Sequence, residues 1–490
     1  MGVRKIPLKA FAPALLCVFV SFYVGTSQVP NKGLSLLFLL PLSFAFTLFF
    51  FYREYEYCRQ SFGLIVLYAS AFVRYVVTPM LIVISQSTVS TIQANDEDYL
   101  YAIIVEVFEL LITMITIKNV WPKHLRKKEQ AKKLSNYDSD SITFHLSWTG
   151  FIFVVLLIGL VLMRGHLSNI ISHLSTWFYR VDNKESVYGY DMMAFNIVKT
   201  ALFLLVVSGM KYVYERTTQK SIPVIIALCA GIFNTMFFEY RERTDLAVLV
   251  IASFFVLSYA FPRSKKMLGL VFGVGGVVLV ALVFMEGTLR YNIGSSISSV
   301  DISDYSKMAE LYTTGPSIIA NTHMNYELMR HSMSFMTFAK DLVRSVDLFS
   351  TLPFLRFVLN SVSGTQSSVE IYVASIRGLA YILPNHILAS LYVGDVLCWL
   401  FEPVFIVLNI KLLGWFERQI YKINDLAQVY AVISIVTMVG MGVFCNNFEL
   451  MLHSFTSLPL WLLFFSYINN LGNSKKKIIE ASDAKMRQYE

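Results

Sequence analysis

Signatures of nucleotide and hydrolytic chemistry are missing from this sequence. It has no GxGxxG, no Walker loop, no HExxH and no GxSxG, so a dehydrogenase, an ATPase and a zinc peptidase are all poorly supported. Cysteine is sparse: Cys17, Cys58, Cys229, Cys398 and Cys445 stand singly, with no CxxC. Neither a metal knuckle nor a disulfide framework follows from that pattern. Charge is scarce as well, at 15% of residues against 56% hydrophobic, which excludes an ordinary soluble domain. No internal repeat relates two halves, as it does in many transporters.

What the chain has instead is a series of long apolar runs. Twelve are expected to cross a membrane: Ala10–Val24, Leu34–Tyr52, Phe62–Ile84, Tyr99–Ile117, Phe144–Met163, Tyr190–Met210, Ile222–Phe238, Thr244–Ala260, Met267–Met285, Leu388–Leu413, Gln428–Phe444 and Met451–Ile468. The expected fold is all-α: a polytopic membrane protein. Its basic residues divide unevenly, 26 on one set of connections and tails against 6 on the short connections of the other set. Seven lie between Lys118 and Lys133. Positive-inside then predicts that both termini and the basic 118–140 loop are cytoplasmic. The net charge of +8 reflects this topology and does not call for nucleic acid. The basic N-terminus with its apolar run reads as an uncleaved first helix.

The expected organisation is nine spans over 1–285, an outward helical loop over 286–385, three spans over 386–470 and a basic cytoplasmic tail over 471–490. Within the long loop, Gly315-Pro316-Ser317 reads as a helix start. Phe335, Phe338, Ala339, Leu342, Val343 and Val346 recur at helical spacing. Thr351-Leu352-Pro353 reads as a second start, and Gln366-Ser367-Ser368 as the cap of a third helix. Three short amphipathic helices predict a cap lying on the membrane surface.

Charges inside apolar runs are costly and need partners. Arg74 is expected to pair with Glu106 or Glu109, which share a helix face. Lys199, Asp395 and Glu402 are similar, and Glu402 precedes Pro403, where a kink is expected to expose it to a cavity. The turn from Glu239 to Asp245 concentrates outward charge, and Arg241 and Arg243 there suit bidentate phosphate binding. The long loop adds Arg290, Tyr312, His323 and Arg377 among others. Arginines meeting a lipid head group suit a diphosphate leaving group. A His or carboxylate then serves as general base, with Asp245, His323 and His453 available. Asp96-Glu97-Asp98 has the D-x-D form some glycosyltransferases use for a metal, and is equally ordinary chemistry for a helix start.

The chain resembles the Wzy-type oligosaccharide repeat-unit polymerases of O-antigen and capsule. The resemblance rests on span number, cytoplasmic termini and one late, large outer loop. It rests also on Phe238 to Asp245 running into a span and on Tyr312-Thr313-Thr314-Gly315-Pro316. The R-x15-G motifs of some members are absent, since Tyr259 and Tyr372 follow Arg243 and Arg356 at that spacing. The resemblance implies a GT-C-like membrane glycosyltransferase in the bacterial cytoplasmic membrane. It would join repeat units carried on undecaprenyl diphosphate, with no metal or other cofactor. A chain-length-determining co-polymerase is the implied partner, beside membrane lipid and the lipid-linked glycans. Arg241, Arg243, Arg290 and Arg377 would bind the diphosphate, Asp245 or His323 would orient or deprotonate the acceptor, and Tyr312, Gly315 and Pro316 would shape the cap. An O-antigen ligase or another lipid-linked glycosyltransferase is the near alternative, and a lipid-linked oligosaccharide flippase or other transporter the distant one.

Overall fold

A computed structural model describes residues 8–89, 94–121, 189–236, 243–275, 301–346, 349, 356–376, 383–420, 425–445 and 447–464. The regular elements among them are all helical. In chain order they are α1 Leu8–Thr26, α2 Leu39–Phe50, α3 Tyr52–Glu56, α4 Phe62–Phe72, α5 Thr78–Ser85 and α6 Asp96–Val120. There follow α7 Gly189–Arg216, α8 Ser221–Met236, α9 Arg243–Ala260, α10 Ile302–Thr313, α11 Pro316–Met324, α12 Tyr326–Ser332 and α13 Phe335–Ser345. The last are α14 Arg356–Ser361, α15 Ser368–Ile376, α16 Asn385–Val393, α17 Asp395–Ile420, α18 Leu426–Met441 and α19 Phe448–Thr456.

Five helices among the described residues are long and apolar enough to cross a membrane, or six if Leu246–Ala260 and Pro262–Gly275, bent by 119°, count as one span. The expected span Phe144–Met163 lies outside the described residues. The expected span Leu388–Leu413 is two elements. Gly394, at φ +96°, breaks the chain between α16 and α17. Only Ser390, Gly394 and Asp395 interrupt the apolar residues about the joint, too little to divide one expected span into two.

The bundle is organised around α18, whose residues from Val429 to Gly440 are buried without a break. A helix that is apolar all round has to be covered all round, and α18 packs on α4, α9 and α17. Close approach depends on small residues. A Cβ on Gly440 would meet Val66 at 3.0 Å, and one on Gly63 would meet Leu413 Cδ1 at 2.7 Å.

Between α4 and α5 the backbone widens to a π-turn over Val73–Val77. Such turns change the direction in which side chains leave a helix, and this one carries Arg74 into the protein interior, at 1% exposure.

Three short helices are expected in the long loop; among its described residues there are six, of which α10 packs on α5, α11 on α6 and α13 on α19. Glu310, fully buried, explains how so polar a segment is internalised. Its carboxylate accepts from Val89 N–H at 2.7 Å, from Ser317 N–H at 3.2 Å and from the Ser317 hydroxyl at 2.5 Å. Burial holds this carboxyl above the usual range, and those hydrogen bonds oppose the shift. The starts expected at Gly315-Pro316 and Ser367-Ser368 are where α11 and α15 begin. Ser367 Oγ accepts from Glu370 N–H, and Glu370 accepts in return from Ser367 N–H, a capping box. The start expected at Thr351 lies outside the described residues.

Candidate functional site: a carboxylate-lined cavity and a buried polar line

The ion pair expected from the sequence is present. Arg74 Nη2 lies 2.8 Å from Glu109 Oε2, and Nε lies 3.6 Å from Glu106 Oε1. All three residues are at most 1% exposed. The Tyr75 hydroxyl donates to the Glu106 carbonyl at 2.7 Å and fixes α6 beside the π-turn.

The line continues along one face of α6. Asp98, Tyr101 and Glu109 recur at helical spacing and point the same way. The Tyr101 hydroxyl donates to His386 Nε2 at 2.9 Å, and His386 Nδ1 donates to Glu402 Oε2 at 2.5 Å. At the other end the Tyr101 ring stacks on His323 at 3.9 Å, and His323 Nδ1 lies 2.7 Å from Asp98 Oδ1. Trp399 closes the side of the line, edge-on to His386 with ring centroids 4.6 Å apart.

His386 is completely buried. Burial pushes its imidazole down to about 4, against the opposing pull of Glu109 and Asp395. It is therefore neutral near pH 7, one nitrogen a donor and the other an acceptor. A consequence can be measured. The unfolded chain takes up this proton near pH 6.5 and the folded protein only near 4, so stability falls as pH drops through that window and then levels. The loss reaches about 3 kcal/mol at most. Melting midpoints of the detergent-solubilised protein, measured from pH 7 to 4, should fall more steeply for wild type than for His386→Gln. Equal slopes would refute a neutral buried imidazole.

Glu402 belongs also to a second feature, a cavity of about 360 Å³ where α13 meets α16, α17 and α19. Phe338, Phe401, Phe405 and Phe448 supply aromatic walls, and Asp341, Glu402 and Glu449 supply carboxylates. Asn385 holds this corner: its Nδ2 donates to the Gly442 carbonyl at 3.2 Å, and its Oδ1 accepts from Phe448 N–H at 2.9 Å. Asp341 accepts from Ser368 N–H at 3.1 Å and from the Tyr392 hydroxyl, tying α13 to α15 and α16. Burial holds the Asp341 carboxyl above the usual range in spite of those donors. Glu402 Oε1 and Glu449 Oε1 are buried and meet no hydrogen-bond donor among the described residues.

The sequence-predicted site residues fare differently. His323 is described, half-exposed, and engaged by Asp98 and Tyr101 rather than lining the cavity. Asp98 also accepts from Asn95 N–H at 3.1 Å, so the D-x-D acids start a helix through a capping box. Tyr312, Gly315 and Pro316 form the corner between α10 and α11, where a Cβ on Gly315 would meet Glu310 Cα at 3.2 Å. Arg243 and Asp245 fall in the first turn of α9, their side chains outside the described residues; Arg241, Arg290 and Arg377 lie wholly outside them. His386, Asp341 and Glu449 were not singled out by the sequence.

Compared with protein-family models, curated proteins and solved structures, the chain has no match.

Proposed function

We propose that this protein is a membrane glycosyltransferase of the Wzy type. It polymerises oligosaccharide repeat units carried on undecaprenyl diphosphate, at the outer face of a bacterial cytoplasmic membrane. The observation that carries the reading is the cavity over Glu402. It is an apolar chamber beside spans, roofed by a loop helix, with a buried carboxylate backed by a neutral histidine. Glycosyl transfer from a lipid diphosphate needs a group to take the acceptor's proton and cations to stabilise the leaving diphosphate.

In this reading the acceptor hydroxyl oxygen bonds to the anomeric carbon of the donor glycan. The bond from that carbon to the diphosphate oxygen breaks, and the lipid diphosphate leaves with the electron pair. The hydroxyl proton passes to Glu402. Arg241, Arg243, Arg290 and Arg377 bind the diphosphate, and the bundle is GT-C-like with twelve spans and both termini cytoplasmic. Asp245 and His323 remain acceptor-orienting candidates, the latter held by Asp98. A chain-length-determining co-polymerase is the expected partner.

The test uses protein in nanodiscs with a synthetic undecaprenyl-diphosphate repeat unit, EDTA present and nucleotide sugar absent. Wild type should form a ladder of lipid-linked oligomers. Arg243→Ala and Arg290→Ala should each lower its rate about a hundredfold or more.

One observation favours a second reading. A line of titratable groups from Asp98 to Glu106 is what a proton-coupled transporter of lipid-linked oligosaccharide would carry in its spans. Movement of the substrate across a liposome bilayer, with no ladder, would select it.

A further inference from the structure

The cavity under α13 is mostly apolar, and three helices each bring an acidic residue to its lining: Asp341 from α13, Glu402 from α17 and Glu449 from α19. No described residue lining it is basic. The nearest cations on α13 are already engaged. Lys340 Nζ lies 2.9 Å from Glu370 Oε2, and Arg344 Nη1 lies 3.3 Å from Glu370 Oε1 and 3.1 Å from Ser367 Oγ. Asp341 spends its oxygens on Ser368 and Tyr392.

Glu402 spends Oε2 on His386 and keeps Oε1 unmet, as Glu449 does among the described residues. Glu402 is 1% exposed, and Oε1 of each is buried without a donor. A buried acceptor left unmet is costly, and a ligand that brings a donor removes the cost. The donors it lacks are O–H or N–H groups. The phenylalanines offer flat faces on which the C–H face of a ring rests, or over which an ammonium is attracted. The volume is at the small end of the range for ligand pockets, about 300–1,000 Å³. A carboxylate-bearing ligand would meet no cation there, and would meet like charge once these acids ionise; burial raises Glu449 to about 8, so the refusal is strongest above that pH.

We propose that this cavity is the seat of the acceptor's terminal sugar, and that it takes a neutral or ammonium-bearing ring and refuses a uronic acid. The assignment of acceptor rests on the glycosyltransferase reading; the preference among rings rests on the cavity alone. Glu449, beside the ring, selects through its charge, and Glu402 receives the hydroxyl that reacts.

The experiment runs two measurements on the same nanodisc preparation. Binding of methyl glucoside, methyl glucosaminide and methyl glucuronide is followed by saturation-transfer NMR at about pH 9, where Glu449 is ionised, with farnesol as an apolar competitor. The ladder assay runs in parallel. The glucoside and glucosaminide should bind, and the glucuronide about tenfold more weakly or worse. Glu449→Gln, isosteric and with no hydrogen bond to Oε1 to lose among the described residues, should shrink that difference. Phe405→Leu, which keeps the site apolar, should weaken all three glycosides together. Melting midpoints for both variants establish that they fold. Discrimination that survives Glu449→Gln, a glucuronide that binds as well as the glucoside, or occupancy by farnesol alone would each overturn the proposal, even with a normal ladder. Selective sugar binding that depends on Glu449, with no ladder, would keep the sugar seat and remove the polymerase reading instead.

Discussion

Glu402→Gln is expected to slow ladder formation by about two to four orders of magnitude, the range for loss of a positioned proton acceptor. Glutamine keeps the size of the side chain and a hydrogen bond with His386, so the wall of the cavity and the joint between α16 and α17 persist. What disappears is the capacity to take a proton from an acceptor hydroxyl. The pH-rate profile separates this role from a structural one, because loss of the base removes the rise of rate with pH, whereas loosened packing lowers the rate at every pH alike. His386→Gln is expected to fall between wild type and Glu402→Gln. His386 acts through Glu402 and is a positioning residue, hydrogen-bonded at both nitrogens. A Glu402→Gln protein with a near-wild-type rate would remove Glu402 from the chemistry.

Arg74→Met is expected to cost the fold about 3–5 kcal/mol, the usual penalty for breaking a buried ion pair from one side. Arg74 serves two carboxylates, neither of which water reaches. Methionine fills the space and removes the charge, which leaves Glu106 and Glu109 opposed in an apolar interior. Combining Arg74→Met with Glu106→Gln and Glu109→Gln should return most of the lost stability, because a neutral set no longer needs the cation. Thermal or denaturant unfolding in detergent micelles reads both results. A small loss in the single variant would mean that one of the carboxylates already carries its own proton in the folded state.

The sequence disclosed those parts of the interior whose cost is local. An arginine and two glutamates in neighbouring apolar runs have to find each other, and they do. Glu402 before Pro403 marked a place where a carboxylate meets a cavity, and it lines one. Gly315-Pro316 marked the start of α11 because the constraint belongs to the proline ring itself. The rest depended on contacts between distant positions. Asp341 meets Tyr392 across 51 residues and Asp98 meets His323 across 225, and no local pattern encodes either. The polar segment 302–322 reads as a surface loop until Glu310 is seen to accept three hydrogen bonds indoors. His386 was passed over because one histidine in an apolar helix carries no signal until its neighbours are known.

Gly394 makes a single residue answerable for the meeting of His386 and Glu402. The two are 16 positions apart, and on one straight helix about 24 Å would separate them. The reversal at Gly394 folds that length back on itself like a clasp, and the guanidinium of Arg330 lies 3.4 Å from where a side chain would begin. An alanine there would be strained by the positive φ, with the guanidinium only at ordinary contact distance. Such a change could leave every acid, base and aromatic of the chamber in the chain and still open the clasp. Loss of activity from a mutation at this joint would therefore imitate loss of a reactive group without touching one.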